Sequence, residues 1–251
     1  MGKTIAIHSF RGGTGKSNTT ANLAALLAVM GKRVGVVDTD IQSPGIHVLF
    51  GLDRDQTHRL LNDYLWGKCE IRDAAHDVTD RLCGACAGRL FLIPSSARGD
   101  EIARVLREGY SVEMLNDGFQ CLMKDLNLDV LLIDTHPGLN QETLLSIAIS
   151  DILVILMRPD QQDYLGTEVT VEVARRLEVP RMLLVVNKTP AVFGAAEVKA
   201  QAEASYGCEV VAVLPHSEEM MCLASGGIFS LLHPSHPVTS IYREIAASLL
   251  I

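Results

Sequence analysis

Residues 4–17 read TIAIHSFRGGTGKS, and this stretch decides the fold of the chain. An apolar run over residues 4–8 leads into a turn with three glycines, followed from Lys16 by helix-like sequence. Glycines let the backbone turn tightly and point successive amides at an anion, and a helix N-terminus adds its dipole. The stretch therefore predicts a strand, a phosphate-binding loop and a helix, with Lys16 supplying positive charge and the Ser17 hydroxyl suited to Mg²⁺.

Outward from this stretch, apolar β-branched runs alternate with amphipathic, helix-length segments. The runs cover residues 4–8, 33–38, 90–93, 130–134, 152–157, 182–187 and 210–214, and the segments cover residues 17–30, 100–126, 139–150, 166–177 and 195–206. Near-continuous apolar runs are typical of parallel strands covered on both faces. The alternation predicts an α/β fold, a doubly wound, mostly parallel sheet flanked by helices. We expect one domain over residues 1–251, with an irregular insertion or connection around residues 53–88.

The composition of the chain limits the classes of protein to which it can belong. The 251 residues are 48% hydrophobic and 21% charged, which is typical of a globular chain, and no apolar run is long enough to span a bilayer. The formal net charge of −8 argues against a protein whose whole surface binds nucleic acid. A local basic patch formed on a dimer is still compatible with this charge and would allow contact with DNA.

The two ends of the sequence are read for export and anchoring signals. The first residues lack a basic segment followed by an apolar core, so we expect a cytoplasmic protein with reduced cysteines. The final segment, residues 241–251, has Arg243 as its only basic residue, so a permanent membrane anchor is not expected.

Polar residues close several of the predicted strands. Asp38, Asp134 and Asn187 each follow an apolar run. Ligands of open α/β sheets bind at the carboxyl ends of the strands. These three side chains are therefore predicted to gather around the phosphate-binding loop.

The loop departs from the strict GxxxxGKS pattern, because Phe10 stands where the first glycine would be. Residues 10–28, FRGGTGKSNTTANLAALLA, instead resemble the deviant P-loop of the MinD/ParA family of P-loop ATPases, written KGGxGKT or KGGxGKS. The resemblance continues in the same order through VVDTDIQSPG at residues 36–45, LLIDTHPGL at residues 131–139 and VVNK at residues 185–188.

The resemblance implies ATP and Mg²⁺ as ligands and hydrolysis of ATP to ADP and phosphate, slowly and under stimulation by a partner. The implied nucleotide-binding residues of the loop are Gly12, Gly13, Thr14, Gly15, Lys16, Ser17 and Asn18. Ser17, Asp38 and Asp134 would hold the metal, with Asp38 acting through water. Asp40 would polarise the attacking water, and Lys16 and Arg11 would complete the catalytic set.

The base is predicted from residues 187–190. Guanine-specific P-loop proteins use an NKxD pattern whose aspartate accepts hydrogen bonds from guanine, and Pro190 occupies that place here. ATP is therefore favoured over GTP. The resemblance implies that Asn187 and the backbone over residues 215–217, Pro215 included, contact adenine.

Arg11 matches the family's signature lysine, which reaches across a nucleotide-sandwich dimer. Arginine keeps the charge and can grip phosphate oxygens with two nitrogens. We hypothesise that Arg11 acts as a finger across an ATP-bound homodimer, and Arg158 is a second candidate that the sequence does not distinguish from it. The resemblance further implies a protein activator or cargo adaptor and a role in positioning or partitioning a cellular cargo.

Three features leave other interpretations open. Cys83 and Cys86 have the spacing of half a metal site, which would suit a metal-trafficking or metallocentre-maturation ATPase, although a lone pair favours incidental thiols. Arg11 and Phe10 also fit a nucleotide-sensing interaction protein with little turnover. His136, beside Asp134, fits either a γ-phosphate or pH sensor or a structural histidine.

Overall fold

The computed structural model describes residues 2–52, 58–82, 84 and 86–251. The strands are β1 (Lys3–His8), β2 (Arg33–Asp38), β3 (His76–Asp77), β4 (Arg89–Ile93), β5 (Val130–Asp134), β6 (Ile152–Met157), β7 (Arg181–Thr189) and β8 (Glu209–Pro215). The helices are α1 (Lys16–Val29), α2 (Ile46–Leu49), α3 (Leu61–Leu65), α4 (Gly99–Glu108), α5 (Val112–Asp125), α6 (Gln141–Ala148), α7 (Gln161–Arg176), α8 (Ala195–Tyr206), α9 (Glu218–Cys222), α10 (Phe229–Leu232) and α11 (Pro237–Ser248). Two short 3₁₀ helices cover Ile71–Ala74 and Thr79–Leu82.

The eight strands form one sheet in the order β3-β4-β2-β5-β1-β6-β7-β8. All neighbouring pairs are parallel except β3 with β4. Every residue of β5 and of β6 is buried, as expected for strands covered on both faces; β6 is apolar throughout, and β5 is apolar up to its last residue, Asp134. The predicted doubly wound, mostly parallel sheet flanked by helices is confirmed.

Successive residues of the strands point alternately into hydrophobic cores on the two faces of the sheet. Leu132 of β5 packs with α1 and α11 on one face, whereas Leu131 and Ile133 pack with α3 and α5 on the other. A third cluster joins β1, β6 and β7 to α7 and α8. The Tyr242 hydroxyl of α11 lies 3.3 Å from Thr19 Oγ1 of α1. The apolar face of α11 therefore packs against α1 and the sheet.

Two predicted segments differ from the observed elements. The segment predicted over residues 100–126 is two helices, α4 and α5, because Gly109 adopts a left-handed φ of 65° and Ser111 caps α5 by accepting from the Met114 amide. Helix α7 begins five residues before the predicted start, because the Asp160 side chain accepts from the Asp163 amide and caps the helix there.

The described part of the predicted insertion around residues 53–88 contains α3, both 3₁₀ helices and β3. Strand β3 pairs antiparallel with β4 and so extends the edge of the sheet. None of the helices in the part of the chain that the structure describes has both the length and the apolar character needed to cross a membrane.

Candidate functional site

The loop between β1 and α1 forms a glycine cradle at the carboxyl edge of the sheet. Gly13 and Gly15 have φ values of 78° and 98°, which L side chains rarely adopt. A Cβ on Gly15 would lie 2.6 Å from Asn187 Nδ2, so this glycine is also required for close packing. Because Gly15 is the N-cap of α1, the first amides of the helix face the same space as the turn.

Asp38 and Asp134 end neighbouring parallel strands in register, as the strand-end pattern predicted. Both carboxyls are buried, and Thr20 Oγ1 donates to Asp134 Oδ1 at 3.2 Å. Burial raises the pKa of Asp134 to about 6, against the opposing effects of hydrogen bonds from Ser17 and Thr20 and of the Lys16 charge. Burial, together with the negative charges of Asp134 and Asp40, raises the pKa of Asp38 well above its usual range.

Lys16 completes a buried charged cluster at the start of α1. It is 7% exposed, and burial lowers its pKa although the charges of Asp134, Asp40 and Asp38 oppose that effect. Two buried polar atoms at this place, Thr14 Oγ1 and Asp38 Oδ2, have no hydrogen-bond partner among the described residues. Buried polar atoms are normally satisfied, so these two indicate a place where a polar ligand belongs.

Asp40 lies two residues beyond β2 and is held by two donors. Its Oδ1 accepts from the Ser43 amide at 3.1 Å and from His136 Nδ1 at 2.6 Å. The structure thus shows a hydrogen bond between Asp40 and His136, which the sequence placed only beside Asp134.

Asn187 and Lys188 brace the cradle from the end of β7. Asn187 Nδ2 donates to the Thr14 carbonyl at 2.8 Å, and Lys188 Nζ donates to the Gly13 carbonyl at 2.8 Å. Lys188 has a left-handed φ of 55°, which turns the chain at this point. Lys188 was not among the predicted site residues, although its place after a strand-end asparagine was a signal.

A cavity of about 220 Å³ opens beside the cradle. Its walls include Gly15, Asn18, Asn187, Pro215, His216, Ser217, Met220 and Met221. In the described part of the chain none of the lining residues is acidic. The cavity thus brings together Asn18, Asn187 and Pro215, which the resemblance implied as nucleotide contacts, and adds Met220 and Met221 of α9, to which no role was assigned from the sequence.

Arg11 and Arg158 both approach Asp163 at the start of α7, but they differ in how firmly they are held. Arg158 donates to the Asp163 carboxylate through Nε at 3.0 Å and Nη2 at 3.1 Å, and its backbone amide donates to the same group at 2.9 Å. Arg11 Nη1 donates to Gln162 Oε1, and its Nε lies 4.0 Å from Asp163 Oδ1. The Arg11 side chain is 41% exposed and the Arg158 side chain 31% exposed.

The structure describes one cysteine of the predicted pair. Cys83 lies outside the described residues, and the Cys86 thiol donates to the Ala28 carbonyl at 3.1 Å. Among the residues that the structure describes, no three His, Cys, Asp or Glu side chains are grouped so as to hold a metal ion.

A strand, a glycine cradle, a helix that begins at a buried lysine, and acids at the ends of neighbouring strands together define a P-loop nucleotide-binding protein. The family described as "AAA domain" matches residues 2–179. The chain belongs to the MinD/ParA family of P-loop ATPases.

Individual relatives agree with this assignment. The chain is 29% identical over its whole length to an uncharacterised ATP-binding protein of Methanocaldococcus jannaschii, of which it covers 88%. It is 30% identical to an iron-sulfur cluster carrier protein of Pseudomonas fragi, over 97% of this chain and 84% of that protein. A solved structure of the septum site-determining protein MinD of Pyrococcus horikoshii, complexed with Mg-ADP, has a TM-score of 0.80 at 20% identity, over 99% of this chain and 96% of that chain.

Proposed function

We propose that this chain binds ATP with Mg²⁺ and hydrolyses it, and that ATP binding drives a homodimer that positions or partitions a cellular cargo. One observation carries the proposal: Lys16, Asp38 and Asp134 are buried together beneath a glycine cradle, with the exposed Arg11 at its rim. Such burial of charge is costly unless a ligand engages it.

The residues present fit a nucleotide phosphate and a divalent cation. The unpartnered Asp38 Oδ2 and Thr14 Oγ1 are an acceptor and a donor that the protein leaves unused. Oxygen ligands such as the Ser17 hydroxyl and the Asp134 carboxylate suit Mg²⁺, and Asp38 would act through water. Mg²⁺ held there would neutralise charge on the β- and γ-phosphate oxygens. Lys16 would add its own charge to the same oxygens.

The cavity beside the cradle fits an adenine base. Met220 and Met221 offer adaptable apolar surface to a flat ring, and Asn187 and the backbone near Pro215 offer polar contacts at its edge. Because no acidic side chain lines the cavity among the described residues, no carboxylate is placed to accept from the guanine edge. This supports ATP over GTP.

Hydrolysis would depend on Asp40 and on charge at the phosphates. Asp40 is bonded by two donors at the edge of the site, where its carboxylate would orient and polarise an attacking water. Loss of this group would leave nucleotide binding and abolish turnover. If the wild-type protein shows steady-state ATPase activity and Asp40→Ala loses it, the chain is not a nucleotide sensor without turnover.

Arg11, rather than Arg158, is suited to act across the dimer. Arg158 is committed to Asp163, which is 2% exposed, through two side-chain bonds and one backbone bond. Removing Arg158 from that carboxylate would leave a buried charge unpaired. Arg11 is held by exposed Gln162 and only distantly by Asp163, so it can be released at small cost to reach a partner's phosphate.

The test is the oligomeric state of the protein with ATP and with ADP, measured by light scattering on a sizing column. Asp40→Ala should trap a dimer in ATP and stay monomeric in ADP. Arg11→Ala in the Asp40→Ala background should abolish the dimer while ATP still binds. Arg176→Ala, which removes an exposed arginine at the far end of α7 from Gln162, is the matched control and should dimerise normally. A protein that stays monomeric in ATP would refute the switch.

The role in positioning is supported by family membership and by the likeness to a septum site-determining protein. The formal net charge of −8 does not favour DNA as the surface on which the dimer acts. A protein activator or cargo adaptor is therefore the partner that we propose. An ATPase rate that rises when that partner is added is the expected sign.

A second candidate function is transfer of a metal or iron-sulfur cluster as cargo. It is favoured by the likeness to an iron-sulfur cluster carrier protein over almost the whole chain. Cys83 and Cys86 of two subunits would supply four thiolates. The metal content of protein purified without oxygen decides this candidate: bound iron or zinc lost in Cys83→Ser supports it, and metal-free wild-type protein excludes it.

A further inference from the structure

His136 lies in the segment between β5 and α6, two residues after Asp134. We propose that His136 is a positioning residue for hydrolysis, which donates from Nδ1 to Asp40 and fixes the carboxylate that faces the attacking water. The inference rests on the proposed function, in which Asp40 polarises that water.

The hydrogen bonds to Asp40 select one of its two oxygens. His136 Nδ1 lies 2.6 Å from Asp40 Oδ1, and the Ser43 amide donates to the same oxygen at 3.1 Å. In the described part of the chain, Oδ1 accepts both of the hydrogen bonds made to the Asp40 side chain. A carboxylate has acceptor sites on both oxygens, so Oδ2 keeps its capacity to accept from a water.

The His136–Asp40 pair is partly shielded from bulk water. The His136 side chain is 25% exposed and the Asp40 side chain 15% exposed. A hydrogen bond to an ionised carboxylate in such a place is stronger than one at an open surface. Because an ionised carboxylate only accepts, the proton of this bond resides on Nδ1.

The histidine is itself carried on a segment that is fixed to the cradle. The His136 carbonyl accepts from Thr143 Oγ1 at 3.3 Å, and the Thr143 amide is capped by Asn140 Oδ1 at 2.8 Å. Two residues further, the Gly138 amide donates to the Ser9 carbonyl at 3.2 Å. The orientation of His136 is therefore set by α6 on one side and by the phosphate-binding loop on the other.

The bond connects two separate segments across the proposed site. Asp40 belongs to the segment after β2, and His136 belongs to the segment after β5. Without the imidazole, Asp40 Oδ1 would keep the Ser43 amide alone, and the carboxylate could turn about its side-chain torsions. A small misplacement of a group that orients a reactant costs much rate with little effect on binding.

The experiment measures single-turnover ATP hydrolysis, nucleotide affinity and melting temperature for His136 variants. His136→Ala should lower the hydrolysis rate by about 10- to 100-fold, as loss of an orienting group typically does. Nucleotide affinity should change by less than about threefold, since the residue acts on the water and not on the phosphates. His76→Ala, which alters a histidine on the edge strand β3, is the control and should leave both unchanged.

Two conservative variants separate positioning from packing. His136→Asn places a donor near the former Nδ1 and should recover the rate to within about threefold of wild type. His136→Gln places its amide near the former Nε2, away from Asp40, and should remain impaired. Equal rates for the Asn and Gln variants would overturn the inference.

A double-mutant cycle shows whether His136 acts through Asp40. In the Asp40→Ala background, where steady-state turnover is lost, the slow residual hydrolysis seen in a single turnover should not fall further on His136→Ala, since the group that it orients is gone. An additional loss of the same size as in wild type would overturn the inference while leaving Asp40 in its role. If Asp40→Ala hydrolyses ATP at the wild-type rate, the proposed role of Asp40 falls and the inference falls with it.

Discussion

At the scale of single residues, the carboxyl of Asp38 combines function with a cost to stability. Its pKa is raised by burial and by the neighbouring acids, so the folded state binds a proton more tightly than the unfolded state does. The stability of the nucleotide-free protein therefore falls as pH rises above the usual carboxyl range. Asp38→Asn should therefore raise the free energy of unfolding at pH 8, measured in urea, and raise it by less at pH 5.

The same substitution should weaken the response to ATP and Mg²⁺. Wild-type protein should gain more stability from the ligands than Asp38→Asn does, because the variant loses the charge that engages them. Asp125→Asn, at an exposed position near the end of α5, is the control for charge alone. An equal change in the free energy of unfolding for Asp38→Asn and Asp125→Asn at pH 8 would contradict this account of Asp38.

Buried His8 is expected to make the stability of the fold depend on pH in a second way. Burial, with the charges of Lys16 and His136, lowers its pKa to about 3. Thr135 Oγ1 donates to the Ile7 carbonyl and so accepts from His8 Nδ1, which leaves Nε2 without a proton. A histidine held neutral contributes stability that is present above its unfolded pKa and is lost as pH falls from about 6.5 toward 3.

His8→Asn should therefore make the protein less sensitive to acid. The amide can still donate to Thr135, but it does not titrate. Between pH 7 and pH 5 the free energy of unfolding should fall by about 2 kcal/mol more for wild type than for the variant. The carboxyls act alike in both proteins and cancel in the comparison. Parallel stability curves would show that His8 is not responsible.

At the scale of elements, the first turn of α7 holds Arg11 in place. Gln162 accepts from Arg11 Nη1, whereas Asp163 is occupied by Arg158. Gln162→Ala should release Arg11 and tighten the ATP-dependent dimer by about two- to fivefold, the worth of one exposed hydrogen bond. Sedimentation over a concentration series measures this change. Gln161→Ala, an exposed glutamine one position earlier, should have no effect, and a weaker dimer in Gln162→Ala would contradict the release.

How much the sequence could predict also depends on the element. Strand ends were predictable, because parallel strands bring Asp38, Asp134 and Asn187 to one edge whatever the loops do. The split of residues 100–126 had signals in Gly109 and Ser111 that the periodicity obscured. By contrast, the wall formed by Met220 and the bond between Asp40 and His136 depend on how short segments pack against each other. No spacing in the sequence encodes that packing.

At the scale of the whole molecule, binding and dimerisation should stabilise the fold in separable ways. ATP with Mg²⁺ at 100 times its Kd should add about 2.7 kcal/mol, because the ligand binds the folded chain alone. For a chain of this size that corresponds to a rise in Tm of roughly 5–10 °C. This part of the rise should not depend on protein concentration, and ADP should produce a similar rise.

Dimerisation adds a second contribution, which depends on the concentration of protomers. In Asp40→Ala with ATP, Tm should climb further as the protein is concentrated, since the folded dimer is then favoured by mass action. With ADP, or with Arg11→Ala added, the same dilution series should be flat. A Tm that responds to ATP but never to protein concentration would mean that the nucleotide is bound by a monomer. The buried charges of the site would then be engaged without the switch that we propose.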